Sequence, residues 1–409
     1  MNLPFFIARR YLLRQKGTFS SFITRLAIVA TALSVAVMII AMGIITGFQQ
    51  RIREKLFSFW GHVHIVPHNT NPANLISASP IAIDTQLMQH VSRMPHVLQV
   101  APFALRPAIV HANGQMEGVR LKGIRPDYRF SKGISFTGGT LDFSDTAYAR
   151  QILMSQAMAN RLRVNAGDKV LLYFLEPGAR FPRVRKLEVA GLFHTGMDEV
   201  DHYFGVCDLR LLQRVNSWSA GDINGYQVEL DDPFLADTMA LTIYDRYITP
   251  PLYTESINVI YQNIFDWLRM QHINVRILIV IMSVVAVINL SAALLILIVD
   301  RARMVALLKT LGMPFQGIRM IFIALAGLIG LTGVAAGTAL SLGLAWLQQQ
   351  YGFLKLPEST YYMDRVPVEI VWWHVALIDI ASLALCVFCM WLPTLYIRRI
   401  RPARTLQFQ

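Results

Sequence analysis

Residues 277–313 read ILIVIMSVVAVINLSAALLILIV and then DRARMVALLKTLGM: a long uncharged apolar run followed at once by a short basic amphipathic segment. A bilayer-spanning helix needs about 20 apolar residues, and residues 277–299 meet that requirement. Three further stretches do so: 26–48, 320–347 and 374–397, of which only the last holds a formal charge, Asp379. The chain is 54% hydrophobic and only 16% charged, too apolar for an ordinary soluble protein of 409 residues. The fold class predicted is a polytopic α-helical membrane protein with four transmembrane helices. A large α+β domain, residues 49–276, is inserted between helices 1 and 2.

The charge map orients this arrangement. Arg9, Arg10, Arg14, Lys16 and Arg25 precede or enter the first span; Arg301, Arg303, Lys309 and Arg319 follow the second; Arg398, Arg399, Arg401 and Arg404 follow the fourth. These thirteen basic residues face one acid, Asp300, and the remaining 25 basic and 25 acidic residues cancel. The whole net charge of +12 therefore falls on one side, which the positive-inside rule assigns to the cytoplasm. Both termini are expected there, with residues 49–276 and the loop 348–373 on the opposite, outer side of the membrane. Basic residues that flank spans, instead of clustering on a soluble face, exclude nucleic-acid binding as the reason for the high pI.

Residues 3–16, LPFFIARRYLLRQK, mix aromatics, leucines and cations as an interfacial helix does, so residues 1–25 read as an elbow feeding a retained first span. In the outer domain, 61–67 alternates like a strand, and 84–94 reads as a helix with Asp84 as its cap and Pro95 beyond its end. Asn113-Gly114 between two apolar runs signals a two-residue hairpin. A helix over 155–164 leads into strands at 169–175 and 184–193, Asp208 caps another helix, 225–231 reads as a strand, and a long helix starts near residue 255. Gly327, Gly330, Gly333, Gly337 and Gly343 line the third span, where small residues permit close helix packing.

Few catalytic patterns are available to such a chain. There is no GxxxxGK[ST] phosphate loop, no GxSxG and no HExxH, so the chain has no phosphate cradle of its own for ATP and no recognisable nucleophile set. His62, His64 and His68 lack an adjoining Cys, Asp or Glu to complete a metal set, and T-G-M-D-E-V-D at 195–201 lacks EF-hand spacing. Cys386 and Cys389 form a CxxC inside the fourth apolar span, where thiols behave as small apolar groups; Cys207 stands alone. In the segment 300–319, Met304, Leu307, Leu308 and Leu311 fall at i, i+3, i+4 and i+7, one apolar stripe flanked by Arg301, Arg303 and Lys309 and stopped by Gly312, Met313 and Pro314. A ridge of that kind at a membrane face is what a separate soluble motor would press on.

Several segments together resemble the lipoprotein-releasing permeases, the LolC/LolE branch of the FtsX-type ABC transporter superfamily. They are ARRYLLR and FSSFIT before the first span, GVRLKGI, VAGLFHTGMDEVD, IFDWLRMQHINVR, DRARMVALLKTLGM, and YYMDRVPVEI before the fourth span. The resemblance implies two permease chains, identical or sibling, on a cytoplasmic ABC ATPase dimer, with ATP and Mg bound by the ATPase and no cofactor on this chain. The short segment Arg301–Met313 would dock in the ATPase. A lipoprotein substrate would pass from the outer leaflet to a periplasmic carrier, its acyl chains held among membrane lipid and the spans. Met38, Met42, Ile45 and Phe48, at i, i+4, i+7 and i+10 on the first span, are the candidate lipoprotein contacts. Arg180, Phe181 and Pro182, in a turn shorter than the hook of the LolC type, are the candidate carrier contacts. Export of another substrate by an FtsX- or MacB-like permease, and mechanotransmission to a periplasmic partner, are the alternatives.

Overall fold

The computed structural model describes residues 19–68, 80–131, 133–145, 147–175, 181–357, 361 and 363–389. The chain divides into two compact units: Met1–Gln49 with Leu268–Lys355 and Arg365–Gln409, and Gln50–Trp267 with Leu356–Asp364.

Helix α1, Phe19–Trp60, contains the first apolar run and continues well past it. At 1.5 Å per residue its 42 residues extend about 63 Å, roughly twice a hydrocarbon thickness. Beyond it the chain enters the β-rich unit. The strands are β1 (Val63–Pro67), β2 (Ile81–Ala82), β3 (Val97–Ala112), β4 (Gln115–Ile124), β5 (Ser135–Gly138), β6 (Gln151–Ser155), β7 (Lys169–Phe174), β8 (Arg183–His194), β9 (Phe204–Asp208), β10 (Asp222–Ile223), β11 (Gly225–Leu230) and β12 (Leu252–Ser256). The principal sheet runs β12-β1-β11-β3-β4-β9-β6-β8-β5. Because β7 pairs with both β3 and β8, the path β3-β4-β9-β6-β8-β7 returns to β3 and closes a ring. Such closure removes sheet edges. The long strand β3 serves two assemblies, pairing β11 through residues 97–103 and β4 through residues 104–112.

Local chemistry explains the connections. Asn113 and Gly114 both adopt positive φ, +50° and +74°, which a two-residue turn matched to strand twist requires, and Ala112 faces Gln115 across it. Helix α2 (Thr85–Ser92) starts where the Asp84 carboxylate accepts from the amides of Gln86 and Leu87. Helix α3 (Gln156–Leu162) starts where Ser155 Oγ accepts from Met158 N. Next comes α4 (Asp198–Tyr203), and then α5 (Leu209–Val215), capped by Asp208. Helix α6 (Ala236–Tyr247) covers β12 and β1. The helix expected from residue 255 starts later, since residues 252–256 form a strand paired along β1. After α7 (Ile257–Ile260), the long helix α8 runs Gln262–Asp300.

The other unit is helical. Helix α9 (Ala302–Thr310) leads to α10 (Phe315–Tyr351), and α11 follows at Trp372–Cys389. Among the described residues, three helices are long and apolar enough to cross a membrane, Ser21–Trp60, Gln262–Asp300 and Phe315–Tyr351, and a shorter apolar helix spans Trp372–Phe388. Three glycines of α10, Gly330, Gly333 and Gly337, pack against neighbouring helices. A Cβ at Gly337 would lie 2.5 Å from Ala32 O, one at Gly333 2.8 Å from Thr31 Cβ, and one at Gly330 3.2 Å from Cys386 Cβ. One face of α10 thus meets both α1 and α11, the close approach small residues allow.

Candidate functional site

The short helix α9 ends in a complete C-terminal motif. Gly312 has φ +82°, its amide donates to Lys309 O, and Met313 N donates to Leu308 O at 3.0 Å. The four-residue stripe expected on this helix is divided. Val305 and Ala306 are fully buried, with Met304, Leu308 and Met313 packed beside them against the cluster of Leu297, Ile298, Ile318 and Phe322. Leu307 (53% exposed) and Leu311 (75%) face outward instead, on the side that also bears exposed Arg303. The anchoring partner is Val305, which the sequence pattern left out. Arg301 lies beside Asp300 at 3.4 Å, and Lys309 is half-buried near the C-terminal end of the helix. The face available to a partner is therefore the pair Leu307 and Leu311 rimmed by Arg303.

The four candidate lipid contacts on α1 do not share an open surface. Met38 is 2% exposed in a cluster with Val35, Ile39, Val334, Val375 and Ile378; Ile45 and Phe48 are also buried. Met42 alone lines an opening, a crevice formed with Ile39, Gly43, Glu369, Ile370, Val371, His374, Val375 and Ile378. The segment before α11 is fastened along α1. Glu369 N donates to Gly43 O at 3.0 Å, and a Cβ at Gly47 would lie 3.0 Å from Pro367 O. Gln349 Nε2 donates to Val368 O at 2.7 Å, while Gln348 Nε2 donates to Leu354 O and Val366 O.

At the end of the β7–β8 hairpin, Phe181 is 79% exposed and Pro182 is exposed, with Leu175 and Val184 also open to solvent. Arg180 lies outside the described residues. The segment 195–201 is a bend at 195–197 leading into the first turn of α4, built around a buried carboxylate. Asp201 accepts from the amides of Thr195 and Gly196 and from Thr195 Oγ1, and pairs with His194 at 2.9 Å. The histidines at 62 and 64 serve the fold. His62 Nδ1 accepts from Leu230 N, and His64 Nε2 donates to Trp60 O at 2.7 Å. Burial lowers both imidazoles to about 4.

One residue of this unit was not foreseen. Lys122 on β4 is 1% exposed, and its ammonium donates to Phe59 O at 2.5 Å, Gln227 Oε1 at 2.6 Å and Tyr128 Oη at 3.4 Å. The rings of Phe59, Tyr128 and Trp60 surround it at 4.6, 5.3 and 5.5 Å. Burial pushes Lys122 down to about 7, against the opposing charge of Glu229. With His64 it satisfies the last carbonyls of α1, where the helix dipole is negative and no intrahelical donor remains. A lone Lys inside GVRLKGI carries no pattern that marks it as buried.

Known proteins match the chain along its length. Residues 24–240, more than half of it, match the MacB-like periplasmic core domain, and residues 276–402 match the FtsX-like permease C-terminal domain. The lipoprotein-releasing system transmembrane protein LolC of Xylella fastidiosa is 24% identical, covering 98% of this chain and 98% of its own. LolC of Neisseria meningitidis is also 24% identical with full coverage of both, and LolE of Haemophilus influenzae is 24% identical over 99% of each. The periplasmic region of MacB from Actinobacillus actinomycetemcomitans aligns with 50% of this chain and 92% of its own at 14% identity and a TM-score of 0.35. With an apolar helical unit, a large β-rich insertion after its first helix and both profiles in register with those parts, the chain belongs to the family of membrane permeases that carry a MacB-like periplasmic core domain ahead of an FtsX-like permease C-terminal domain.

Proposed function

We propose that this chain is the transmembrane permease subunit of an ABC-type lipoprotein-releasing system. It takes lipid-anchored proteins from the outer leaflet of the bacterial inner membrane and delivers them toward a periplasmic carrier. A separate cytoplasmic ATPase dimer supplies the work, and a second permease chain, identical or sibling, completes the channel. The observation that carries this reading is similarity to LolC and LolE over essentially the whole chain, both the β-rich insertion and the helical part included.

The geometry supports each assignment. Leu307 and Leu311 form an outward apolar pair on a helix whose other face is anchored, as a docking element for a motor requires. Helix α11 supplies a fourth span, and exposed Trp346, Tyr351, Trp372 and Trp373 suit the interfacial aromatic belt at the outer face. Exposed Leu175, Phe181 and Val184 give the β7–β8 tip an apolar surface for a carrier.

The test is reconstitution of the full chain with its ATPase in vesicles loaded with a lipidated protein. Replacing both Leu307 and Leu311 with Asp removes about 2 kcal/mol of apolar burial per leucine, enough to weaken docking by well over tenfold. Expected is loss of ATP-driven release and of ATPase co-purification, with membrane insertion unchanged. Wild-type release by the double variant overturns the docking assignment.

A further inference from the structure

Just past the apolar run of α1, one arginine is held between rings from two other segments. Arg53 follows Phe48, the last residue of the run 26–48, by five positions, about 7.5 Å along the helix. The polar layer of a bilayer adds about 5–8 Å beyond the hydrocarbon on each side, so Arg53 stands at headgroup level. Its guanidinium carbon lies 4.6 Å from the ring centroid of Phe234 and 5.9 Å from that of Phe265. Its Nε is buried with no hydrogen-bond partner. Asp237, the acid whose charge reaches it, accepts instead from Ser256 Oγ and Asn258 Nδ2. Nearby Arg51 differs, since it pairs with Glu54 at 3.3 Å. Phe234, although stacked on Arg53, is 75% exposed. The 3₁₀ turn Pro233–Leu235 presents it, and the acids of that turn are occupied within the protein: Asp232 accepts from Phe234 N at 2.9 Å, and Asp231 lies 3.0 Å from His96 Nδ1. Trp267, two residues beyond Phe265, is also partly exposed. Open aromatic rings beside a cation are the composition that a membrane interface favours, where rings settle among headgroups and cations meet phosphates.

We propose that the turn at 233–235 rests on the bilayer face from which the β-rich unit projects, with the Phe234 ring in the headgroup layer and the Arg53 guanidinium on a phospholipid phosphate. The occupant is lipid because α1 carries Arg53 straight out of the apolar run, so headgroups already surround that level and a soluble partner would have to displace them. The chemistry is complementary. A guanidinium presents planar donors that match phosphate oxygens, and the Phe234 ring covers one of its faces and leaves its edge for the anion. The contact gives the β-rich unit a footing on lipid beside the helices through which its chain enters and leaves. It requires that α1 spans the bilayer and is independent of what the protein transports.

The experiment places the photoreactive residue p-benzoylphenylalanine at position 234 of the full chain, or at position 116 on β4, where Met116 is 66% exposed, as the reference. Each chain is held in nanodiscs of phosphatidylcholine, illuminated, and read by mass spectrometry for lipid adducts. The expected result is a lipid adduct at 234 in about fivefold or greater yield than at 116, with the new bond in the headgroup or glycerol region. Arg53→Gln lowers the yield at 234 about threefold, the size of one screened charge contact, while Arg51→Gln, whose charge Glu54 already meets, leaves it unchanged. Because Arg53→Gln also alters the stack on Phe234, Arg53→Lys is the second variant; it keeps the charge and restores the yield. Equal yields at 234 and 116 overturn the footing on lipid, and so does a crosslink from 234 to a second chain, in place of lipid, in nanodiscs loaded with two copies. A yield that Arg53→Gln leaves intact, or that Arg53→Lys fails to restore, overturns the phosphate contact.

Discussion

Lys122, His62 and His64 show how single buried groups set the behaviour of the β-rich unit. Each imidazole takes a proton near 6.5 when unfolded but only near 4 in the fold, because burial opposes the charge. Stability from them is complete above about 6.5 and is lost as pH falls from there to about 4, on the order of 2–3 kcal/mol per imidazole. Thermal melting of the full chain at about pH 7 and about pH 4.5 should show this loss, and His62→Gln, which keeps an acceptor for Leu230 N, should flatten part of it. Lys122 has the same sign in a higher window: its contribution grows as pH rises from about 7 to 10.5, since the unfolded chain holds that proton longer. Replacing Lys122 with Met leaves Phe59 O and Gln227 Oε1 without their donor. The expected cost is about 3 kcal/mol, read as a lower melting midpoint and faster amide exchange at residues 61–64. An unchanged midpoint means that other donors satisfy these acceptors.

At the scale of elements, the hairpin at Asn113-Gly114 and the caps at Asp84, Ser155 and Asp208 were legible because each rests on contacts within a few residues. The face of α9 was not. Helical periodicity places Met304, Leu307, Leu308 and Leu311 together, but the anchored side is decided by α8 and α10, which take Val305 and leave Leu307 and Leu311 outside. Strand β12 was missed for a similar reason: LYTES holds no apolar alternation and becomes a strand by pairing with β1. The glycines of α10 separate by environment. Gly337→Val drives a side chain into Ala32 O and should destabilise the helical unit by about 1–3 kcal/mol, whereas Gly343→Ala meets nothing within 4 Å and should be neutral or stabilising by up to about 1 kcal/mol. Melting midpoints of the two variants in the same detergent decide this.

For the whole molecule, the expected orientation rests on charge alone. A cysteine placed at Arg303 should react with an impermeant maleimide only from the cytoplasmic side of intact cells, and one at Lys169 only from outside; the reverse pattern removes the docking assignment altogether. The apolar runs, the basic flanks and the order of segments were by themselves enough to specify a polytopic membrane protein with a large insertion after its first span, because hydropathy and charge act through the solvent and require no tertiary contact; the permease reading came from the resemblance of whole segments. Closure of β3, β4, β9, β6, β8 and β7 into a ring, the burial of Lys122 and the convergence of Met42, Glu369 and His374 on one crevice were decided only in three dimensions. Each depends on pairing between segments distant in the chain, and the free energy of a polar group in such a place is set by neighbours that no local pattern encodes.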